Sequence, residues 1–225
     1  METMRGMAHP PRPNRSGYAR TGGALLACAL LGGCTLLPID EARMLRERSS
    51  GSFDATRYVA EIWDSRARPA LAARTVAIDA VRTADLDRFG AEQGRRAGEG
   101  SPWTFVVEGE AVVREARTDQ PRGTLTIDTP GGGATILTGP VISGSAIRDA
   151  LPFIRFDGFS DQIAYAEVGA ELTERALRPL QPTLRSLRVG DRVRFRGVAS
   201  IVAPGDPIAI TPFEIARIGG GDAAR

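Results

Sequence analysis

From Trp103 onward the apolar residues fall on alternate positions, and this change of period is what most narrows the folds open to the chain. Trp103, Phe105, Val107, Gly109, Ala111 and Val113 share one face, opposite Thr104, Glu108, Glu110 and Arg114, with Val106 and Val112 as exceptions. Such alternation describes a half-buried strand, and Gly109 inside it predicts a bend or a bulge. Leu125 and Ile127 repeat the pattern between Thr124, Thr126 and Asp128; Pro130-Gly131-Gly132-Gly133 makes a turn, and a third strand follows around 134–138. After a mixed segment, 139–187, Gly190-Asp191 opens a strand with Val193 and Phe195 inward and Arg192, Arg194 and Arg196 outward. Pro204-Gly205-Asp206 turns into Ile208-Ala209-Ile210, and the parity shift across Pro212 to Phe213 and Ile215 predicts a bulge or an edge.

Ahead of the strands the period is helical. Asp54 is placed to cap a helix carrying Tyr58, Val59, Ile62 and Trp63. Pro69 is expected to end it and open the next. Leu71, Val76, Val81 and Leu86 are the expected buried positions of an Ala-rich stretch, and residues 90–102 read as a Gly-rich loop. The fold class is therefore α+β: a helical N-terminal segment, 53–102, then an OB-like antiparallel β-barrel over 103–218 with a helical insertion, 139–187, between its third and fourth strands. An open antiparallel sheet with helices on one face is the alternative. A five-stranded barrel fills its interior with side chains, so a site is expected on its outer face or under the insertion.

Residues 1–20 hold Arg5, Arg12, Arg15 and Arg20 against Glu2, and an apolar run from Gly22 to Leu31 leads into Gly32-Gly33-Cys34-Thr35. A basic head, a short apolar stretch and small residues before a cut describe a secretory signal, 1–33. The run is too short for a spanning helix, which needs about 20 apolar residues. Leu31-Gly32-Gly33-Cys34 resembles a lipobox, with cleavage between Gly33 and Cys34 and acylation, palmitate included, on the Cys34 thiol. Residues 34–52 then form a lipid-anchored tether and 219–225 a disordered tail. This places the protein on the periplasmic face of a bacterial membrane. Thr35, where an aspartate would favour inner-membrane retention, points to the outer membrane.

Cleavage also decides the chemistry. Cys28 and the single histidine, His9, leave with the signal, Cys34 carries lipid, and the chain has no lysine. That excludes Ser-His-Asp and Cys-His catalysis, histidine-ligated metals, Schiff-base lysines, P-loop lysines and disulfides. Removing four arginines and one glutamate from the 29 basic and 27 acidic residues leaves 25 and 26, a net charge of −1. Near-neutrality argues against nucleic acid as a partner, and the row Arg192, Arg194, Arg196 reads as a solvated face. No cofactor is indicated, and no spaced acidic loop marks a cation site. Trp63 and Trp103 read as core.

The densest polar and aromatic cluster lies in the insertion. Ser145 is placed to cap a short helix that buries Ile147, Ala150 and Leu151 and ends at Pro152; Ser160 is placed to cap a longer one through Leu177, with Asp161 in its first turn. Arg148, Asp149, Arg155, Asp157, Asp161, Gln162, Tyr165 and Glu167 are the candidate binding residues for a ligand or partner.

The segments Leu37-Pro38-Ile39-Asp40-Glu41, Ile62-Trp63-Asp64-Ser65, Gly139-Pro140-Val141-Ile142, Arg148-Asp149-Ala150-Leu151, Phe159 to Val168 and Ile210-Thr211-Pro212 resemble a family of predicted periplasmic lipoproteins, domain of unknown function 2291. The resemblance implies a lipid-anchored periplasmic protein, often associated with sugar-type ABC transporters, and carries over no catalytic residues. The sequence reading is thus a non-enzymatic accessory or binding module held to the membrane by its lipid, whose partner is a periplasmic or membrane transport protein or a small solute. The rival is a carbohydrate-active hydrolase pairing Asp149 or Asp157 with Glu167. Mass spectrometry of the membrane-extracted protein is expected to find Cys34 as the acylated N-terminus, and Cys34→Ser is expected to move the protein out of the membrane fraction.

Overall fold

The computed structural model describes residues 53–83 and 85–219. Gly33, Cys34, the tether up to Ser52 and residues 220–225 of the tail lie outside that range. Long stretches of alternating apolar residues need a partner on each edge, and the strands meet this by closing a ring. Strand β1 is Thr75–Ala77, β2 Trp103–Arg117, β3 Thr124–Thr129, β4 Gly132–Leu137, β5 Arg192–Ile201 and β6 Ala209–Ile218. The long β2 pairs with β5 from Trp103 to Val112, then with β3 from Val112 to Arg117, both antiparallel. β3 pairs with β4, β4 runs parallel to β6 at Thr135 and Ile136, and β6 returns antiparallel to β5. Short β1 adds in parallel to β2, with Thr75 opposite Val106.

Alternation sends Phe105, Val107, Ala111, Val113, Leu125, Ile127, Ile136, Val193, Phe195 and Ile210 into the ring. Helices α3 (Ile78–Thr83) and α4 (Leu86–Gln93) add Ile78, Val81 and Leu86 to this core. Gly109 leaves the register with β5 unbroken. It marks a close approach instead of the expected bend, since a Cβ there would stand 3.0 Å from Ile78 Cγ2 and 3.2 Å from Phe195 Cζ. The bulge in β2 falls further on, between Val113 and Glu115, where the strand changes partner.

Val106, an exception to the alternation, belongs to a second core. With Val198 and Phe213 it packs under a layer of helices: α1 (Ala55–Ile62), α2 (Arg68–Ala72), α5 (Ala146–Ala150) and α6 (Gln162–Leu177). Val59, Trp63, Leu71, Ile147, Leu151, Val168 and Leu172 fill this layer, and burying each apolar side chain of this kind contributes about 1.5–3 kcal/mol. The parity shift in β6 is a bulge. Arg196 faces Glu214 but Gly197 faces Pro212, so Phe213 is the extra residue. It joins the helical layer while Ile215 packs against the barrel core.

Three local expectations change. Pro69 does not end the first helix, because the turn Trp63–Ala67 widens to π geometry, with Arg68 N–H donating to the carbonyl of Trp63, and the chain runs on into α2. The wider turn accommodates a residue that has no N–H to donate. The stretch after Leu71 is not wholly helical, since β1 interrupts it, and α4 extends to Gln93 within the expected loop. Asp161, not Ser160, caps α6, accepting from the N–H groups of Ile163 and Ala164 at 2.9 Å each. Helix α7 (Gln181–Ser186) completes the insertion and contributes Leu184 to the barrel core.

At Gly197 an added Cβ would lie 2.4 Å from Ile210 Cγ2 and 2.7 Å from the carbonyl oxygen of Thr211. Gly197→Ala is expected to cost about 1–3 kcal/mol through overpacking. Leu172→Ala, which opens a void in the second core, is expected to cost about 2–5 kcal/mol. Urea unfolding midpoints measure both.

Candidate functional site

The insertion and the loop after α4 border an open cavity of about 460 Å³, lined by Arg95, Arg96, Ala97, Asp149, Ile154, Arg155, Phe156, Asp157 and Tyr165. Its floor is fixed to the barrel by backbone hydrogen bonds. Arg95 N–H donates to Thr104 O at 2.9 Å, and Thr104 N–H donates back to Arg95 O at 2.6 Å. Trp103, at the start of β2, is covered by the Arg96 guanidinium, 4.5 Å from its ring centroid, and its indole N–H donates to Asp87 at 3.2 Å.

On the insertion side the polar groups hold one another. Asp149 Oδ1 accepts from Arg148 Nε at 2.9 Å and Nη2 at 2.8 Å, and Asp149 Oδ2 accepts from Ser145 Oγ at 2.6 Å. Ser145 therefore serves Asp149 and does not cap α5 with its side chain. Arg148 also lies 3.8 Å from the Tyr165 ring centroid and donates to the Tyr165 carbonyl at 3.2 Å. Room for this comes from Gly169, one turn along α6, whose added Cβ would stand 3.3 Å from Arg148 Nη1. Phe156 and Phe159 pack on Tyr165 at 5.6 and 5.4 Å between centroids, and Arg155 pairs with Asp157 at 3.4 Å on the rim.

Of the residues predicted from sequence, Asp149, Arg155, Asp157 and Tyr165 line the cavity, and Arg148 stands directly behind Asp149 and Tyr165. Asp161 is engaged as the cap of α6, and Gln162 and Glu167 are exposed on that helix away from the cavity lining. Asp149 and Asp157 line the cavity together, whereas Glu167, their expected partner in a hydrolase, is not among its lining residues. Arg95 and Arg96 fall within the loop expected over 90–102, and the bridge to Thr104 brings them to the insertion.

Arg95 is electrostatically unusual. Burial first, then the charges of Arg74 and Arg155, pull its guanidinium below the usual arginine basicity, against a smaller opposing effect of Tyr165. Its Nε is shut off from solvent and has no hydrogen-bond partner. The row on β5 is different. Arg194 meets Glu110 at 2.7 Å, Arg192 meets Glu110 at 3.5 Å, and Arg196 meets Glu108 at 2.9 Å and Glu214 at 3.4 Å. The bond to Glu108 is the main reason the Arg196 guanidinium is held above its usual basicity. This face is a ladder of exposed ion pairs, each worth about 0–1 kcal/mol. Among the described residues no group of three or more His, Cys, Asp or Glu is placed to hold a metal ion, and no helix is long and apolar enough to cross a membrane.

The family model described as "Predicted periplasmic lipoprotein (DUF2291)" matches residues 24–216. The chain belongs to this family. Membership makes it a periplasmic, membrane-anchored lipoprotein by family description. A crystal structure of an OB-fold protein from Thermotoga maritima is similar at a TM-score of 0.61 and 15% identity, covering 74% of this chain and 99% of that one. That likeness shows the fold: the ring of strands is OB-like, with helices added outside it. No curated protein matches the chain.

The Arg148–Asp149 pair is largely buried, with side-chain exposures of 13% and 21%. Arg148→Met leaves a carboxylate short of its donors and is expected to cost about 1–3 kcal/mol. The double variant with Asp149→Asn is expected to recover part of that loss, and a double-mutant cycle by urea denaturation measures the coupling.

Proposed function

We propose that this family member is a non-enzymatic binding module, carried on a lipid at Cys34, which holds a small solute in the cavity between the Arg95–Ala97 loop and the insertion for a neighbouring uptake system. The observation that supports binding over catalysis is the state of the carboxylates. A hydrolase of the paired-carboxylate kind needs two acids facing one substrate, one of them able to deliver a proton. Here both oxygens of Asp149 are taken by Arg148 and Ser145, Asp157 sits on the rim with Arg155, and Glu167 lies elsewhere. A cavity of 460 Å³ falls in the range of small-molecule sites, about 300–1,000 Å³.

The link to a sugar-type ABC uptake system rests on the family resemblance of the Gly139-to-Val168 block. Thr35, in place of an aspartate, supports outer-membrane sorting. Acyl chains on Cys34 would supply the anchoring, at about 0.8 kcal/mol per buried CH₂, and keep the module beside its partner.

Two measurements test this reading. Crosslinking in intact cells from a photoreactive residue in place of Arg155 is expected to capture a transport component. The purified protein is expected to show no turnover of a polysaccharide and oligosaccharide panel. Hydrolysis lost in Asp149→Asn or Asp157→Asn would overturn the proposal in favour of the hydrolase.

A further inference from the structure

We infer that the cavity is an oxyanion site, anchored by Arg95, that takes a small organic carboxylate or phosphate ester; this rests on the proposed binding function and specifies its ligand. Three arginines line the cavity, Arg95, Arg96 and Arg155, against two carboxylates, Asp149 and Asp157. Both acids are already committed to other arginines, Asp149 to Arg148 and Asp157 to Arg155. Arg96 lies over the Trp103 ring. That leaves Arg95, among the described residues, as a partly buried cation with no acid against it. After burial, the strongest influences on it are the like charges of Arg74 and Arg155.

A guanidinium removed from water without a counter-charge is unfavourable, and natural structures answer this with an acidic partner or a bound anion. Among the described residues no acid stands against Arg95, and the residue lines the cavity. A planar guanidinium offers paired N–H donors that match the oxygens of a carboxylate or phosphate. The remaining walls describe the rest of the ligand. The cavity is much larger than a bare inorganic ion, Ile154, Phe156 and Tyr165 give it apolar surface, and the Asp157 carboxylate at the rim can accept from a ligand hydroxyl. An acidic group on a body of about monosaccharide size fits these features.

The test uses the full lipid-anchored protein in detergent and phosphate-free buffer, titrated calorimetrically with glucuronate, glucose 6-phosphate, inorganic phosphate and glucose. Saturable binding of glucuronate or glucose 6-phosphate, at least tenfold tighter than glucose and weakened by salt, is the expected result. Glucuronate and glucose 6-phosphate distinguish the carboxylate from the phosphate form. Arg95→Gln is expected to weaken that binding at least tenfold. Arg188→Gln, in a different surface hollow, is expected to leave it unchanged.

A second readout separates an anion anchor from a merely structural arginine. Without ligand, Arg95→Gln is expected to keep or raise the melting temperature, because it removes an uncompensated cation; a structural arginine would lower it. Glucose binding as tightly as the acids, or acid binding indifferent to Arg95→Gln, overturns the oxyanion assignment and leaves solute binding standing. Absence of binding by every probe, together with a transport component captured from position 155, also overturns it while preserving the link to uptake. No binding and no capture sinks both.

Discussion

Strand β2 has to satisfy two neighbours in succession, and most of the molecule is arranged around that requirement. Its first ten residues pair with β5 and its end pairs with β3, so one strand closes the ring from both sides. A closed ring leaves few unpaired edges, and the inward residues then meet as a single packed interior. The same strand turns Val106 outward, and with Val198 and Phe213 this gives the helices a patch to cover. Two cores therefore share one sheet. The candidate cavity lies beside the strand's first residues, where Thr104 holds the Arg95 loop.

Much of this was legible in the residues. Period-two alternation from Trp103 to Val113 and again around Leu125, Val193 and Ile210 located the barrel strands, and their order around an insertion indicated an OB-like topology. The bulge at Phe213 was visible as a parity break across Pro212. Other features were not legible, for physical reasons. Thr75, Val76 and Ala77 are too few to show a period, and become a strand only because β2 offers a parallel edge. Pro69 has a strong local tendency to end helices, but the π turn before it, packed through Trp63 and Ala67, overrides that tendency.

The site was half legible. The crowding of Arg148, Asp149, Arg155, Asp157 and Tyr165 in one segment marked one wall of the candidate cavity or the residue directly behind it. The opposite wall was hidden, because nothing in Gly94-Arg95-Arg96 separates it from an ordinary solvated loop. Its place at the cavity comes from a long-range backbone bridge, which a linear pattern does not record. The arginine row on β5 was correctly read as solvated, but its glutamate partners on β2 and β6 become visible only through strand register.

The helical layer over Val106, Val198 and Phe213 draws on residues from Val59 near the start of the described chain to Phe213 near its end. Contacts of such high sequence separation form late, since a long loop must close before they return any free energy. A nascent polypeptide that has delivered only its first helices has nothing for them to settle on. The assembly thus delays its own completion until almost the whole polypeptide has arrived.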